Sequence, residues 1–440
     1  MKMLKTLALA VVLAVCLSAT AWASEALTID IYGPGQSRVN LAQAAPKGLD
    51  AAPVPALAPT FGQLVSQNFS FLPFIREVAP TDVLGGVQLA GVSRSGIDFK
   101  RFQLSKVDLV MTTGWKPNGQ GGSRLECRVY ETFTSRLVVG KAYSGVNEKN
   151  ISRVADLFCA AFMEALTGRD EYFRSIIAFS KTGKDGNRQI WTVTPQGREL
   201  RQVTYLHGAS ISPAWSHTGR YLAFAHHSDH DHTLGIWDSK ENRIFRSKLP
   251  GTTIGGTAFS KDDRVVVALT RGNMEIYELT RDLRRIHKTL VQNWSIDVSP
   301  CFTKDYSTMA FTSDRRGNPH IFVKDMESGK VTRVTYDGKY NTSPSISPDG
   351  KLIVFSRRTP DGHRIFLHDM ESGKERQLTF GPGSDEEPAF SPDGYFICFA
   401  SNRSGEYKLY LTTRHGAQPK LLPTGDGAAT HPVFGPRYGE

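Results

Sequence analysis

Cysteine is scarce in this 440-residue chain: there are five, and Cys16 falls in the apolar N-terminal segment. Of the other four, Cys127 and Cys159 both fall in the N-terminal part and could pair in an oxidising compartment, with buried free thiols as the alternative. For Cys301 and Cys398, which sit in different sequence repeats, free thiols are the better reading. Apolar runs of membrane-spanning length are absent beyond residue 17, which excludes an integral membrane segment from the mature chain. Basic and aromatic residues do not interleave as they do in nucleic-acid-binding motifs, so no nucleic-acid partner is expected. A Gly-x-Ser-x-Gly elbow, a His-Glu-x-x-His helix and a phosphate-cradling glycine loop are all missing, and the expectation is no catalytic residue, no cofactor and no metal.

What is present begins with an export signal. Lys2 and Lys5 precede eleven apolar residues from Leu7 to Leu17, and Ala21-Trp22-Ala23 supplies the small residues of a cleavage site after residue 23. Cys16 does not make a lipoprotein site, because Val15 is too large for the position before it. Cleavage removes two lysines, so the formal charge of +10 falls to +8, an excess that suits acidic partners or an anionic envelope.

Three short patterns then repeat. A small or Pro residue leading to an apolar one recurs at Pro213-Ala214-Trp215, Thr257-Ala258-Phe259, Pro300-Cys301-Phe302, Pro344-Ser345-Ile346, Pro388-Ala389-Phe390 and Pro432-Val433-Phe434, at intervals of 43 or 44 residues. An apolar run recurs from Ile177-Ala178-Phe179 to Ile397-Cys398-Phe399, and an aliphatic-aromatic pair from Ile190-Trp191 to Leu409-Tyr410, six copies of each. Turn sequences such as Ser347-Pro348-Asp349-Gly350 separate them, and weaker fourth strands follow, as at Arg376-Gln377-Leu378-Thr379. Four short strands in about 44 residues are the spacing of a β-propeller blade. The second pattern starts before the first and the first ends after it. The expectation is therefore an all-β six-bladed propeller over residues 168–440 with a split first blade, closed by residues 431–436. Residues 24–167 read as an α/β domain, with strands at 27–32 and 107–111, a loop or linker over the Ala/Pro-rich residues 42–60, a hairpin arm at 124–130 and a helix at 151–166.

Strand alternation places the hairpins after second strands, and the connections between blades, on one face. Its mouth is ringed by Ser210, Ile211, Ile254, Gly255, Asp297, Val298, Asn341, Thr342, Asp385, Glu386, Ala429 and Thr430, a polar funnel that suits a protein segment. Arg188, Arg315, Arg316, Arg357, Arg358 and Arg403 are expected on the same face, with Asp297, Asp385 and Glu386 pairing with basic groups of a partner and Arg315 and Arg403 with acidic ones. The run His226-His227-Ser228-Asp229-His230-Asp231-His232 could hold zinc or nickel, but a solvated hairpin is the better reading.

The repeats P-x-[WF]-S-P-D-G and hairpins such as Phe311-Thr312-Ser313-Asp314-Arg315-Arg316-Gly317 resemble the TolB family of the periplasmic Tol-Pal envelope system. That resemblance implies a non-enzymatic periplasmic protein that binds the lipoprotein Pal through the mouth residues. It also implies contact with the inner-membrane protein TolA through the N-terminal segment (Ser24, Glu25, Leu27, Ile29, Ile31), and support of outer-membrane integrity, protein transport and envelope constriction in cell division. Other envelope proteins are further possible partners. A metal-dependent lyase or hydrolase on a TolB-like propeller, resting on the His run, is the alternative.

Overall fold

A computed structural model of the chain describes residues 38–119, 121–229, 231–249, 251 and 253–437. The signal segment, the candidate strand at 27–32 and the partner-binding residues Ser24 to Ile31 lie outside the described residues.

The first sheet contains β1 (Val39–Gln43), β2 (Lys47–Gly48), β3 (Ile75–Glu77), β4 (Leu109–Asn118), β5 (Gly122–Glu131) and β6 (Leu137–Val146). Its order is β3-β1-β4-β5-β6, with β2 beside β4; β1 runs parallel to both neighbours, and β4 to β6 form an antiparallel meander. Three helices accompany it: α1 (Ala58–Phe69), α2 (Phe99–Leu104) and α3 (Ile151–Thr167). On α3, of the apolar face expected from Ile151, Val154, Phe158, Ala161, Phe162 and Ala165, all but the half-buried Ala165 are buried, and Phe158 and Phe162 meet Phe61 and Phe69 of α1. The helix stops at Gly168, whose left-handed φ of 74° lets its N–H reach the Glu164 carbonyl at 2.8 Å.

Residues 42–60 are not the continuous loop that their Ala/Pro content suggests. They finish β1, supply β2 and open α1, where Pro59 sits in the first turn and its missing N–H leaves no helical bond unmade. Cys127 of β5 and Cys159 of α3 are both free and buried, and burial pushes both thiols well above their ordinary pKa.

All six copies of each repeated pattern fall in strands. The longest array is β7 (Ser175–Thr182), β8 (Arg188–Val193), β9 (Arg201–Gln202), β10 (Ala209–Trp215), β11 (Tyr221–His227), β12 (His232–Asp238) and β13 (Arg243–Lys248), joined by the distant β30 (Ala429–Pro436). These form one eight-stranded sheet, in which β30 pairs antiparallel with β7. A single parallel bridge, Ala209 to Arg188, joins β10 to β8.

Four four-stranded sheets intervene in sequence. They comprise β14 (Ile254–Phe259) to β17 (Ile286–Val291) through β15 (Val265–Arg271) and β16 (Asn273–Leu279), and β18 (Asp297–Phe302) to β21 (Val331–Arg333) through β19 (Thr308–Ser313) and β20 (His320–Asp325). They continue with β22 (Asn341–Ile346) to β25 (Glu375–Gln377) through β23 (Leu352–Thr359) and β24 (Gly362–Asp369), and β26 (Asp385–Phe390) to β29 (Lys420–Leu421) through β27 (Phe396–Ser401) and β28 (Lys408–Thr413). The middle strands are apolar almost throughout because both of their faces are covered by neighbouring sheets; Leu222, Phe224, Val266, Phe311 and Ile353 are fully buried.

The two parts share a core. Tyr172 stacks on Phe396 with ring centres 3.9 Å apart, and Phe74 meets Tyr395 edge-on. Asp156 of α3, almost inaccessible, accepts from Arg198 and from Arg437, so the junction is clamped by charge as well as by apolar contact.

Candidate functional site

The leading strands β10, β14, β18, β22, β26 and β30 all break register at the same place, around the residue that precedes the Pro- or Thr-led triplet. The residue there adopts positive φ: Ser212, Ser299, Ser343, Glu387 and His431 lie between 52° and 55°, and Gly256 at 143°. A bulge of this kind puts two residues opposite one and bends the strand. Pro follows in five of the six copies, at Pro213, Pro300, Pro344, Pro388 and Pro432, which suits a position already out of the hydrogen-bond ladder. His431 Nε2 lies 3.0 Å from Glu387 Oε1 across adjacent leading strands. Burial acts to raise the Glu387 carboxyl, but His431 outweighs it and the pKa stands below its usual value.

These bulges sort the expected mouth residues into two sets. Ser210, Ile254, Asp297, Asn341, Asp385 and Ala429 are buried, whereas Ile211, Gly255, Val298, Thr342, Glu386 and Thr430 are half-buried. Strand alternation sends successive side chains to opposite sides, so the second set is the more accessible one. The expectation that Asp297 and Asp385 pair with a partner is therefore corrected. Asp297 accepts from Arg315 at 2.9 Å and Asp385 from Arg403 at 2.8 Å, within the same sheet. Asn341 likewise accepts from Arg357 Nε at 2.7 Å, and Arg357 also holds Glu375 at 2.5 Å. Arg315, Arg357 and Arg403 are thus turned inward, while Arg316 and Arg358 remain exposed. Burial outweighs Arg315 and raises the Asp297 carboxyl above its ordinary pKa. Thr430 accepts from Arg188 at 2.5 Å, and Glu386 accepts from the Tyr407 hydroxyl at 2.6 Å.

The histidine run is a hairpin between β11 and β12. His226 is buried with Nδ1 3.0 Å from Ser210 Oγ, His227 faces His232 across the strand pair, and Asp231 is ion-paired with Lys248 at 2.6 Å. Among the described residues no group of three or more His, Cys, Asp or Glu is placed to hold a metal ion; His230 is outside them.

A set of residues that sequence reasoning passed over stands out on the connections between sheets. Tyr205, Trp294, Tyr336 and Phe380 are 76%, 75%, 69% and 66% exposed, more than any core role allows. For three of the four the signal was a further repeat, Val203-Thr204-Tyr205, Val334-Thr335-Tyr336 and Leu378-Thr379-Phe380, which Trp294 lacks. In each, the first residue is buried and the Thr hydroxyl accepts from a third-strand N–H, of Ile190 at 2.8 Å, Ile321 at 3.0 Å and Ile365 at 3.0 Å. Anchored in this way, the backbone throws the aromatic ring outward. Large exposed aromatic rings mark a surface for partners.

Comparison with known proteins agrees with this architecture. The family model described as the TolB beta propeller domain matches residues 163–438. The Tol-Pal system protein TolB of Nitratidesulfovibrio vulgaris is 45% identical over 303 residues, 69% of this chain and 69% of its own. The Tol-Pal system protein TolB of Desulfosudis oleivorans is 31% identical over 63% of this chain and 66% of its own. The crystal structure of TolB from Acinetobacter baumannii superposes with a TM-score of 0.78 at 20% identity, covering 91% of this chain and 97% of that one, a likeness of fold. This chain belongs to the TolB family of Tol-Pal system proteins.

Proposed function

We propose that the chain is a periplasmic binding protein whose inter-sheet face holds the lipoprotein Pal, supporting outer-membrane integrity and envelope constriction in division. On this reading residues 1–23 are a signal peptide, 24–167 an α/β domain and 168–440 a propeller. The five sheets are six blades, the eight-stranded sheet being two blades joined at the Ala209–Arg188 bridge and the first of them completed by β30. The observation that carries the proposal is the set of exposed rings, Tyr205, Trp294, Tyr336 and Phe380, on the same face as the half-buried Ile211, Gly255, Val298, Thr342, Glu386 and Thr430. An apolar, aromatic surface beside a polar funnel has the make-up of a protein-binding site. The segment carrying Ser24, Glu25, Leu27, Ile29 and Ile31 is proposed to contact TolA by strand addition.

The test is calorimetric titration with Pal. Tyr336→Ala or Phe380→Ala should weaken binding by roughly 2 kcal/mol or more, as aromatic anchors do, and Thr342→Trp should block it. Lys261→Glu and Lys351→Glu, exposed on the turns of the opposite face, should change nothing. Unchanged binding in the first group would remove the face assignment. Deleting residues 24–31 should abolish TolA binding and leave Pal binding intact.

A further inference from the structure

At the edge of the same face, a cavity of about 950 Å³ opens along the seam between the β7–β8 hairpin and the loops flanking β28 to β30, where Lys181 pairs with Ala429. Lys181 lines it and is only 7% exposed, yet among the described residues it makes no hydrogen bond or ion pair. Its ammonium instead lies 4.3 Å from the centre of the Trp191 ring. The neighbouring Lys408 is the contrast: it donates to the carbonyls of Gly425 and Gly427 and to Glu406, each at 2.9 Å. Asp426 and Glu406 offset its charge only from a distance, without a hydrogen bond or ion pair, and a nearly buried cation held in that way is costly unless something neutralises it. Burial, followed by Lys408, lowers the Lys181 pKa, consistent with that imbalance.

The other carboxylates of the cavity do not fill the role. Asp185 accepts from the side chain and backbone of Asn187, Glu406 belongs to Lys408, and Asp426 lies on the exposed loop opposite without an ion pair to Lys181. The rim carries the exposed Tyr205 and the partly covered Leu206, so an apolar side chain has a surface beside the cation.

We infer that this seam cavity is a second binding site, for a segment of a partner protein in which an Asp or Glu carboxylate reaches Lys181 while a neighbouring apolar side chain packs on Trp191 and Tyr205. The site shares Tyr205 with the aromatic surface of the proposed function and adjoins the mouth at Ala429, but its cation and cavity lie apart from Thr342 and Glu386.

The test uses the full chain and two fluorescent peptides, acetyl-Phe-Glu-Glu-Phe-amide and its Gln-Gln counterpart, read by anisotropy. The acidic peptide should bind about tenfold more tightly, a difference of about 1.4 kcal/mol. Lys181→Gln should erase that preference, Lys181→Arg should keep it, and Asp426→Asn should strengthen binding by removing a repulsive charge. Opposite signs for Lys181→Gln and Asp426→Asn separate recognition from general loss of fold. Thr342→Trp should leave peptide binding as it was, so this site and the mouth fail separately. Equal binding of the two peptides, or an unchanged preference in Lys181→Gln, overturns the proposal. Displacement of the peptide by acetate or inorganic phosphate at equal concentration also overturns it, because the site would then take a free anion.

Discussion

The three sheets spanning β18 to β29 and the sheet β14–β17 are built from the same repeat, yet they stabilise their inner edges differently. In the three, an arginine of the second hairpin caps a stacked aromatic pair: Arg315 over Phe311 and Phe322, Arg357 over Phe355 and Phe366, Arg403 over Phe399 and Tyr410. Each guanidinium also reaches the first residue of the leading strand, Asp297, Asn341 or Asp385. In the sheet β14–β17 that first residue is Ile254, buried against an apolar cluster with Leu269, and the hairpin shrinks to Arg271-Gly272-Asn273. The comparison shows that Arg315, Arg357 and Arg403 serve the interior of the sheet. What remains free for a partner is the second residue of each leading strand and the aromatic rings of the connections.

The largest effect should come from breaking one capped sheet. Arg403→Ala leaves the inaccessible Asp385 carboxylate without its partner, and should destabilise the protein by about 3–5 kcal/mol in denaturant unfolding. Lys288→Ala, on the exposed outer strand of the uncapped sheet, should stay within about 0.5 kcal/mol. A small loss in Arg403→Ala would mean that the cap is ornamental.

The threonine anchors offer a finer division. Thr379→Val deprives the Ile365 N–H of its acceptor inside the sheet, with an expected loss of about 1–3 kcal/mol. Thr335→Val should behave alike at Ile321. If the anchors also set the direction of Phe380 and Tyr336, Pal affinity should fall in both variants while folding persists.

The smallest effects, of opposite sign, should appear with pH. Burial works to raise the Glu375 carboxyl, but its hydrogen bonds with His368 and Arg357 outweigh it, so its folded pKa lies below the ordinary value. Its contribution is present in full above the unfolded pKa and is lost as pH falls through the folded one. Asp297, with a raised pKa, does the reverse: the folded chain holds its proton where the unfolded chain has lost it, so stability is gained as pH falls through that folded value. Glu375→Gln should flatten the acid-side loss of stability, and Asp297→Asn should steepen it. The measurement is unfolding free energy between pH 3 and pH 6, roughly the carboxylate range.

Much of this fold was legible in the sequence because the repeat is written at three levels. Apolar runs placed the middle strands, aliphatic-aromatic pairs the third, and Pro-led triplets the leading ones. Helix α1 was not legible, because Pro59 and the Ala/Pro content before it read as linker when Pro59 in fact opens the helix. In each expected pair on the leading strands the period-two alternation buries one residue and leaves the other half-buried, and the bulge decides which. No local signal marks that bulge except the proline after it. Charge misled in the same way, since an arginine in a polar hairpin sequence looks like a surface residue until its aspartate 18 positions earlier is found beneath it. The exposed aromatics were visible in the Val/Leu-Thr-Tyr/Phe repeat, but a weak fourth strand seemed sufficient reason for it.

The most direct measurement of the account is hydrogen exchange on the chain with and without bound Pal. Protection is predicted in the connections carrying Tyr205, Trp294, Tyr336 and Phe380 and in the residues 211, 342, 386 and 430 of the leading strands. Protection confined to the turns at 216–219, 260–264, 303–307 and 347–351 on the opposite face would contradict it.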